Sequence, residues 1–135
     1  GARLFAVRDS PIWADASAGA EAAAFERALG GAQALATLTG GKAYLRHSGP
    51  QMRKIAQKKS EAWENTERVS LVSSFVTSLL IGDYAPIDTS DGSGMNLMDI
   101  HTKTWKIEAT ATVSDSLSTK QGVQDMLGAR PVGAH

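Results

Sequence analysis

The residues of this chain whose types could do chemistry do not assemble into a reaction centre by spacing. Gly40-Gly41-Lys42-Ala43 has the glycine and lysine of a phosphate-cradling loop. However, Ala36 stands where that loop opens with glycine, and Ala43 where it needs a metal-binding hydroxyl. Asp91-Gly92-Ser93-Gly94 lacks the spacing of a dinucleotide-binding turn. It also fails as a calcium loop, because Ile87 falls at the first ligand position and Met98 at the closing one. His47, His101 and His135 are scattered without metal-ligand intervals. No serine, histidine and aspartate combine into a nucleophile set. No catalytic, cofactor or metal residue is therefore assigned from motifs, and composition and motif alone leave a globular α/β domain.

The elements that would position such residues are mostly helices. Pro11-Ile12-Trp13, after the polar Arg8-Asp9-Ser10, predicts the end of a strand. Asp15 and Ser17 stand where an N-cap belongs, ahead of an alanine-rich helix running to about Leu29. Gly30-Gly31 breaks it, and a short helix from about Ala32 to Leu38 stops at Gly40-Gly41. Ser48-Gly49-Pro50 starts another, with Met52 and Ile55 on its inner face. Ser60 is placed to cap a helix through Trp63 to Arg68.

A central helix is predicted over about Ser70 to Leu80, with Gly82 as its C-cap. Val72, Phe75, Val76, Leu79 and Leu80 follow helical spacing opposite a small-residue side of serines and Thr77, which reads as a close-packing face. Ile87 to Ile100 reads as extended and irregular around a turn at 91–94, where Asp88, Ser90 and Asp91 bond to the backbone. A last helix is expected from about Ser116 to Leu127. Trp13, Trp63 and Trp105 read as core or packing residues.

Composition limits what such a chain does. Its 135 residues suffice for one domain with a real core and are too few for two. Fourteen basic residues balance fourteen acidic ones, which gives no electrostatic case for nucleic acid or an anionic membrane surface. The absence of cysteine removes disulfides and thiolate metal sites, and suits a reducing compartment. The N-terminal segment has no long apolar run behind a basic start, so a secretory signal is not expected. Val69 to Ile81 is the most apolar stretch, interrupted by serines and short of the roughly 20 apolar residues of a membrane span. It reads as a buried helix.

Longer strings say more. PIWADAS at 11–17, GGKAYLRHSGPQMRKI at 40–55 and ERVSLVSSFVTSLLIGDYAPIDTSDGSGMNLMDI at 67–100 closely resemble the xylulose kinase branch of the FGGY carbohydrate kinases. The resemblance runs in consistent order from about Phe5 to Trp105 and fades beyond. It implies a mostly helical α/β chain with a few short strands, part of a ribonuclease H-like (actin-like ATPase) lobe. Residues 1–135 would form an interior part of the N-terminal, sugar-binding lobe.

The resemblance also implies site residues. The Asp of the family's W-x-D string corresponds to Asp15, near the sugar cleft, and the Arg of its A-Y-E-R-F-T-G string corresponds to Arg46, a sugar contact. A permanently charged fork suits adjacent hydroxyls, to which it donates paired hydrogen bonds. Leu45, His47 and Ser48 depart from the Glu, Phe and Thr of that string, and His47 is expected to pack rather than bind. The family's phosphate loop and histidine loop would lie ahead of Gly1, and its G-D-N catalytic base beyond His135.

Taken together, the resemblance implies a section of a cytoplasmic, ATP- and Mg-dependent kinase of D-xylulose, inactive alone and binding neither ATP nor metal alone. Uncovered apolar faces around Trp13, Phe75 and Leu79 would favour self-association or contact with the remainder of the kinase. Two alternatives stay open. One is another FGGY kinase, of ribulose, glycerol or gluconate type; the other is a non-catalytic helical scaffold or binding module derived from such a lobe.

Overall fold

The computed structural model describes residues 4–114, 120–128 and 131–133. Eight helices follow one another among them: α1 (Gly19–Ala28), α2 (Ala32–Thr39), α3 (Ser48–Lys58), α4 (Ser60–Glu64), α5 (Val72–Ile81), α6 (Thr89–Ser93), α7 (Ile107–Val113) and α8 (Lys120–Leu127). Two short strands lie between α6 and α7: β1 (Met98–Asp99) pairs antiparallel with β2 (Thr104–Trp105), with Met98 opposite Trp105. The chain is mostly helical, with one two-stranded sheet among the described residues.

Glycines punctuate the helices because the left-handed backbone they take at helix ends carries little penalty without a Cβ. Gly40 closes α2 at φ 85° and Gly82 closes α5 at φ 72°. Gly49 has a different reason to be glycine. Its N–H donates to the Met95 carbonyl at 2.9 Å. A Cβ there would lie 2.6 Å from that oxygen and 3.2 Å from both Leu97 and Phe25. The bare backbone lets the first turn of α3 press onto the 95–97 segment.

That junction organises one core. Phe25 of α1, Leu35 of α2, Met52 of α3 and Trp63 of α4 pack with Leu97, Trp105, Val113 of α7 and Leu127 of α8 in a single buried cluster. Arg68 ties the 65–71 segment to this body, donating from Nη2 to the Ala85 carbonyl at 3.1 Å, while Val69 N–H donates to Met126 at 2.8 Å.

Several expectations need correction. Residues 11–13 form no strand but lead into a turn, and no described strand lies beside them to pair. Trp13 is 82% exposed, unlike the buried Trp63 and Trp105. The helix begun at Ser60 ends at Glu64 rather than Arg68, and Lys59, not Ser60, occupies its N-cap. Residues 89–93 are a helical turn rather than extended chain, because Asp88 Oδ1 accepts the Ser90 N–H at 2.8 Å and so caps it. Helix α7 lies beyond the quoted strings and the β1–β2 hairpin begins within the last of them, and neither was anticipated. Of the expected last helix, Lys120–Leu127 is present, and 116–119 lie outside the described residues.

The largest departure is α5. It is helical as predicted but not buried: Val72, Val76, Leu79, Leu80 and Ile81 are exposed, and Ser74 is its buried residue. Of the small-residue side, Ser74 and Ser78 face the body, while Ser73 and Thr77 are exposed. Leu71 N–H donates to Ser74 Oγ at 3.0 Å, and Ser78 Oγ accepts the Ala85 N–H at 2.9 Å. No described helix is long and apolar enough to cross a membrane.

Candidate functional site

Asp15 is not the N-cap of α1. The cap is Ala18, without a side-chain bond. Asp15 Oδ1 instead accepts from its own local turn, taking the Ser17 N–H at 2.9 Å and the Ser17 hydroxyl as well. The Lys54 ammonium donates to that same hydroxyl. These donors prefer the charged carboxylate, so Asp15 is held below the usual aspartate range, first by the Ser17 hydroxyl, then by the Ser17 amide, with Gln51 and Lys54 adding less. Asp15 is thus an ionised acceptor at neutral pH. It lines a cleft of about 320 Å³ together with Asp9, Gln51, Lys54, Lys58 and Lys59.

Arg46 sits in the irregular 41–47 segment between α2 and α3. Its side chain is exposed, with the guanidinium carbon 5.9 Å from the Tyr44 ring centre, at the outer limit of a cation–π contact. The loop beneath it is pinned from inside the fold by Asn96, which is 1% exposed and adopts φ 59°. Asparagine is among the few non-glycine residues that tolerate that backbone. Asn96 Oδ1 accepts from His47 Nδ1 at 2.7 Å and from the Tyr44 N–H at 3.4 Å. Because the Tyr44 amide can only donate, the acceptor end of Asn96 faces His47, and His47 carries its proton on Nδ1. The amide nitrogen of Asn96 reaches the Gly41 and Lys42 carbonyls, each at 3.4 Å. His47 also meets Tyr44 edge to face, with ring centres 5.5 Å apart. It packs and holds the loop, as a replacement for an apolar residue would.

Gln51 joins these two segments. It projects from α3 and is 5% exposed. Its Nε2 donates to the main-chain oxygens of Asp15 at 2.8 Å and Leu45 at 3.0 Å, with Asp15 Oδ1 at 3.3 Å. The structure therefore brings the Asp15 segment and the backbone beside Arg46 to one side chain. It does not bring Arg46 into the cleft that Asp15 lines.

Sequence reasoning singled out neither Gln51 nor Asn96, although both left a signal. Gln51 falls in the stripe Ser48, Gln51, Met52, Ile55, a polar residue at the helical spacing of an inner face. Asn96 interrupts the apolar run Met95 to Met98. A polar residue in a buried stripe is there to be bonded. Among the described residues no three histidine, cysteine, aspartate or glutamate side chains converge as a metal site would need.

The model of the FGGY family of carbohydrate kinases, N-terminal domain, matches residues 6–119. A xylulose kinase of Rattus norvegicus is 52% identical over 118 residues, covering 87% of this chain and 22% of the relative. Xylulose kinase 2 of Arabidopsis thaliana is 51% identical over 111 residues, covering 80% of this chain and 20% of the relative. A xylulose kinase of Saccharomyces cerevisiae is 38% identical over 125 residues, covering 93% of this chain and 21% of the relative. The chain spans about a fifth of the length of these curated relatives.

Proposed function

The chain belongs to the FGGY family of carbohydrate kinases, and from that premise we propose that it is a section of an ATP-dependent D-xylulose kinase. Residues 1–135 form an interior part of the sugar-binding lobe, of the actin-like ATPase type. Its task is to build one wall of the sugar cleft. The observation that carries this reading is the identity of about half with xylulose kinases of rat and Arabidopsis, sustained over most of the chain.

In the complete enzyme a carboxylate base contributed from outside this section takes the proton of the sugar's terminal hydroxyl. The oxygen attacks the γ-phosphorus of ATP in line, the bond to the bridging oxygen breaks, and ADP leaves. Magnesium with ATP would supply charge neutralisation on the phosphates. This section contributes acceptors and donors for hydroxyls: Asp15 as an ionised acceptor, and Arg46 as a charged donor fork. Phosphoryl transfer depends on charge placed around the migrating group, which on this reading the rest of the enzyme supplies. The cysteine-free composition suits a cytoplasmic enzyme.

An ADP-release assay tests the reading in the full-length kinase carrying this section and in the 135-residue chain alone. The full-length protein is expected to turn over D-xylulose in preference to D-ribulose, glycerol and gluconate, and the isolated chain to turn over none. Preference for another of these substrates moves the chain to a sister kinase. No turnover with any of them favours the scaffold reading, and turnover by the isolated chain shows that its catalytic residues have been overlooked.

A further inference from the structure

Neither segment that carries a candidate sugar contact has regular secondary structure: Asp15 lies in irregular chain before α1, and Arg46 in irregular chain before α3. Arg46 lies outside the cleft that Asp15 lines. On the sugar-kinase reading the rest of the lobe therefore completes a site to which the two segments contribute, and their spacing has to be set before the sugar arrives. Ordering two loose segments at the moment of binding would subtract from affinity.

We propose that Gln51 is the positioning residue that sets this spacing for the sugar; the inference rests on the sugar-kinase reading above. The side-chain amide has two N–H donors, and two carbonyls take them, that of Asp15 at 2.8 Å and that of Leu45 at 3.0 Å. Leu45 is bonded directly to Arg46, and Asp15 presents its carboxylate to the cleft, so one buried amide fixes the approach of both segments. The other end of the amide, Gln51 Oε1, is buried and finds no partner among the described residues. Leaving an acceptor so is unfavourable, and apolar residues suit the same inner face of α3 at Met52. What glutamine offers there is a nitrogen that holds two segments together.

The test is kinetic, in the full-length kinase. Gln51→Met keeps an unbranched side chain of similar length and removes both donors. The KM for D-xylulose is expected to rise about tenfold, with the KM for ATP unchanged and the Tm falling by only a few degrees. A packing role alone would lower Tm without touching one substrate's KM. Gln51→Asn keeps the donors but is one methylene short, reaching one carbonyl at a time. It should give an intermediate KM, and it keeps the question answerable where the methionine variant does not fold. In an Arg46→Ala background, Gln51→Met should add less than about twofold, because with one of the two contacts gone no spacing between them remains to be set. An unmoved xylulose KM in both Gln51 variants, or a full tenfold effect persisting without Arg46, overturns the role of Gln51. Absence of xylulose turnover by the unmutated enzyme overturns the functional reading itself, and this inference with it.

Discussion

Helices α3 and α5 treat their side chains in opposite ways. In α3 the buried residues are Gly49, Pro50, Gln51 and Met52, and most of them look like surface or turn residues. In α5 the one buried residue is a serine, while Leu79 is 67% and Leu80 82% exposed. Burial in this chain therefore follows the partners within reach rather than side-chain preference. α3 finds Met95, Leu97 and Phe25 at its first turn, close enough that only glycine fits. Around α5, the exposed Val72, Val76 and Ile81, with the Phe5 ring 5.9 Å from Phe75, continue the same uncovered surface. Contiguous apolar surface of this kind belongs at an interface. On the kinase reading, the rest of the enzyme covers it.

The largest expected effect exploits that contrast. The isolated chain should self-associate through α5, and Leu79→Lys with Leu80→Lys should abolish it. Burying one leucine contributes about 1.5–3 kcal/mol, so losing two weakens association by about 3–6 kcal/mol, roughly two to four decades. Sedimentation velocity of the two proteins measures it. The same pair placed in the full-length kinase should instead lower stability, because two ammonium groups would then be buried without partners. A monodisperse monomer of the unmutated chain, melting cooperatively at high temperature, would contradict the comparison and favour an independent module.

How much was legible follows the same divide. Helices bounded by glycine were readable, since Gly30-Gly31, Gly40 and Gly82 each impose a positive φ that ends regular structure. Which face of α5 points inward was not readable from apolar spacing alone, because that pattern presumes a partner on the apolar side. The short cap at Asp88 was missed because a single helical turn leaves no periodicity to detect. As site residues Asp15 and Arg46 entered through resemblance; without it Asp15 reads as a helix cap and Arg46 as a surface charge. Gln51 and Asn96 were open to a stricter reading, as polar residues at buried positions whose bonds run to segments far along the chain. Such partners cannot be read without the fold.

A smaller effect should sharpen the site side of the comparison. In the full-length kinase, Arg46→Ala should lower kcat/KM for D-xylulose by about one to two decades, the equivalent of about 1.5–3 kcal/mol for lost charged hydrogen bonds. ATP affinity and Tm should hardly change, since the side chain is exposed and meets the Tyr44 ring only at the outer limit of contact. Arg46→Lys should recover part of the loss, because one ammonium cannot reproduce the fork. Unchanged kinetics in the alanine variant would make Arg46 an ordinary solvated charge, and Gln51 would then have nothing there to position.

The smallest effect is a pH dependence that belongs to the Asp15 turn and has no counterpart on α5. Ser17, Gln51 and Lys54 favour the charged carboxylate in the folded chain, so the folded pKa lies below the unfolded one. A group shifted in that direction binds its proton more readily when unfolded. Its stabilising contribution is complete above the unfolded value, near about pH 4 for aspartate, and is lost as pH falls through the lower folded value. Asp15→Asn removes the titration while leaving an oxygen to accept from Ser17. Its melting temperature should lie slightly below that of the parent at neutral pH, and the two curves should converge on the acid side. The measurement belongs in the Leu79→Lys, Leu80→Lys background, where self-association does not mask a shift this small. Curves that stay parallel down to the lowest pH would show that the turn does not favour the charged form. Asp15 would then lose its standing as a preset acceptor, although Gln51 could still hold its backbone.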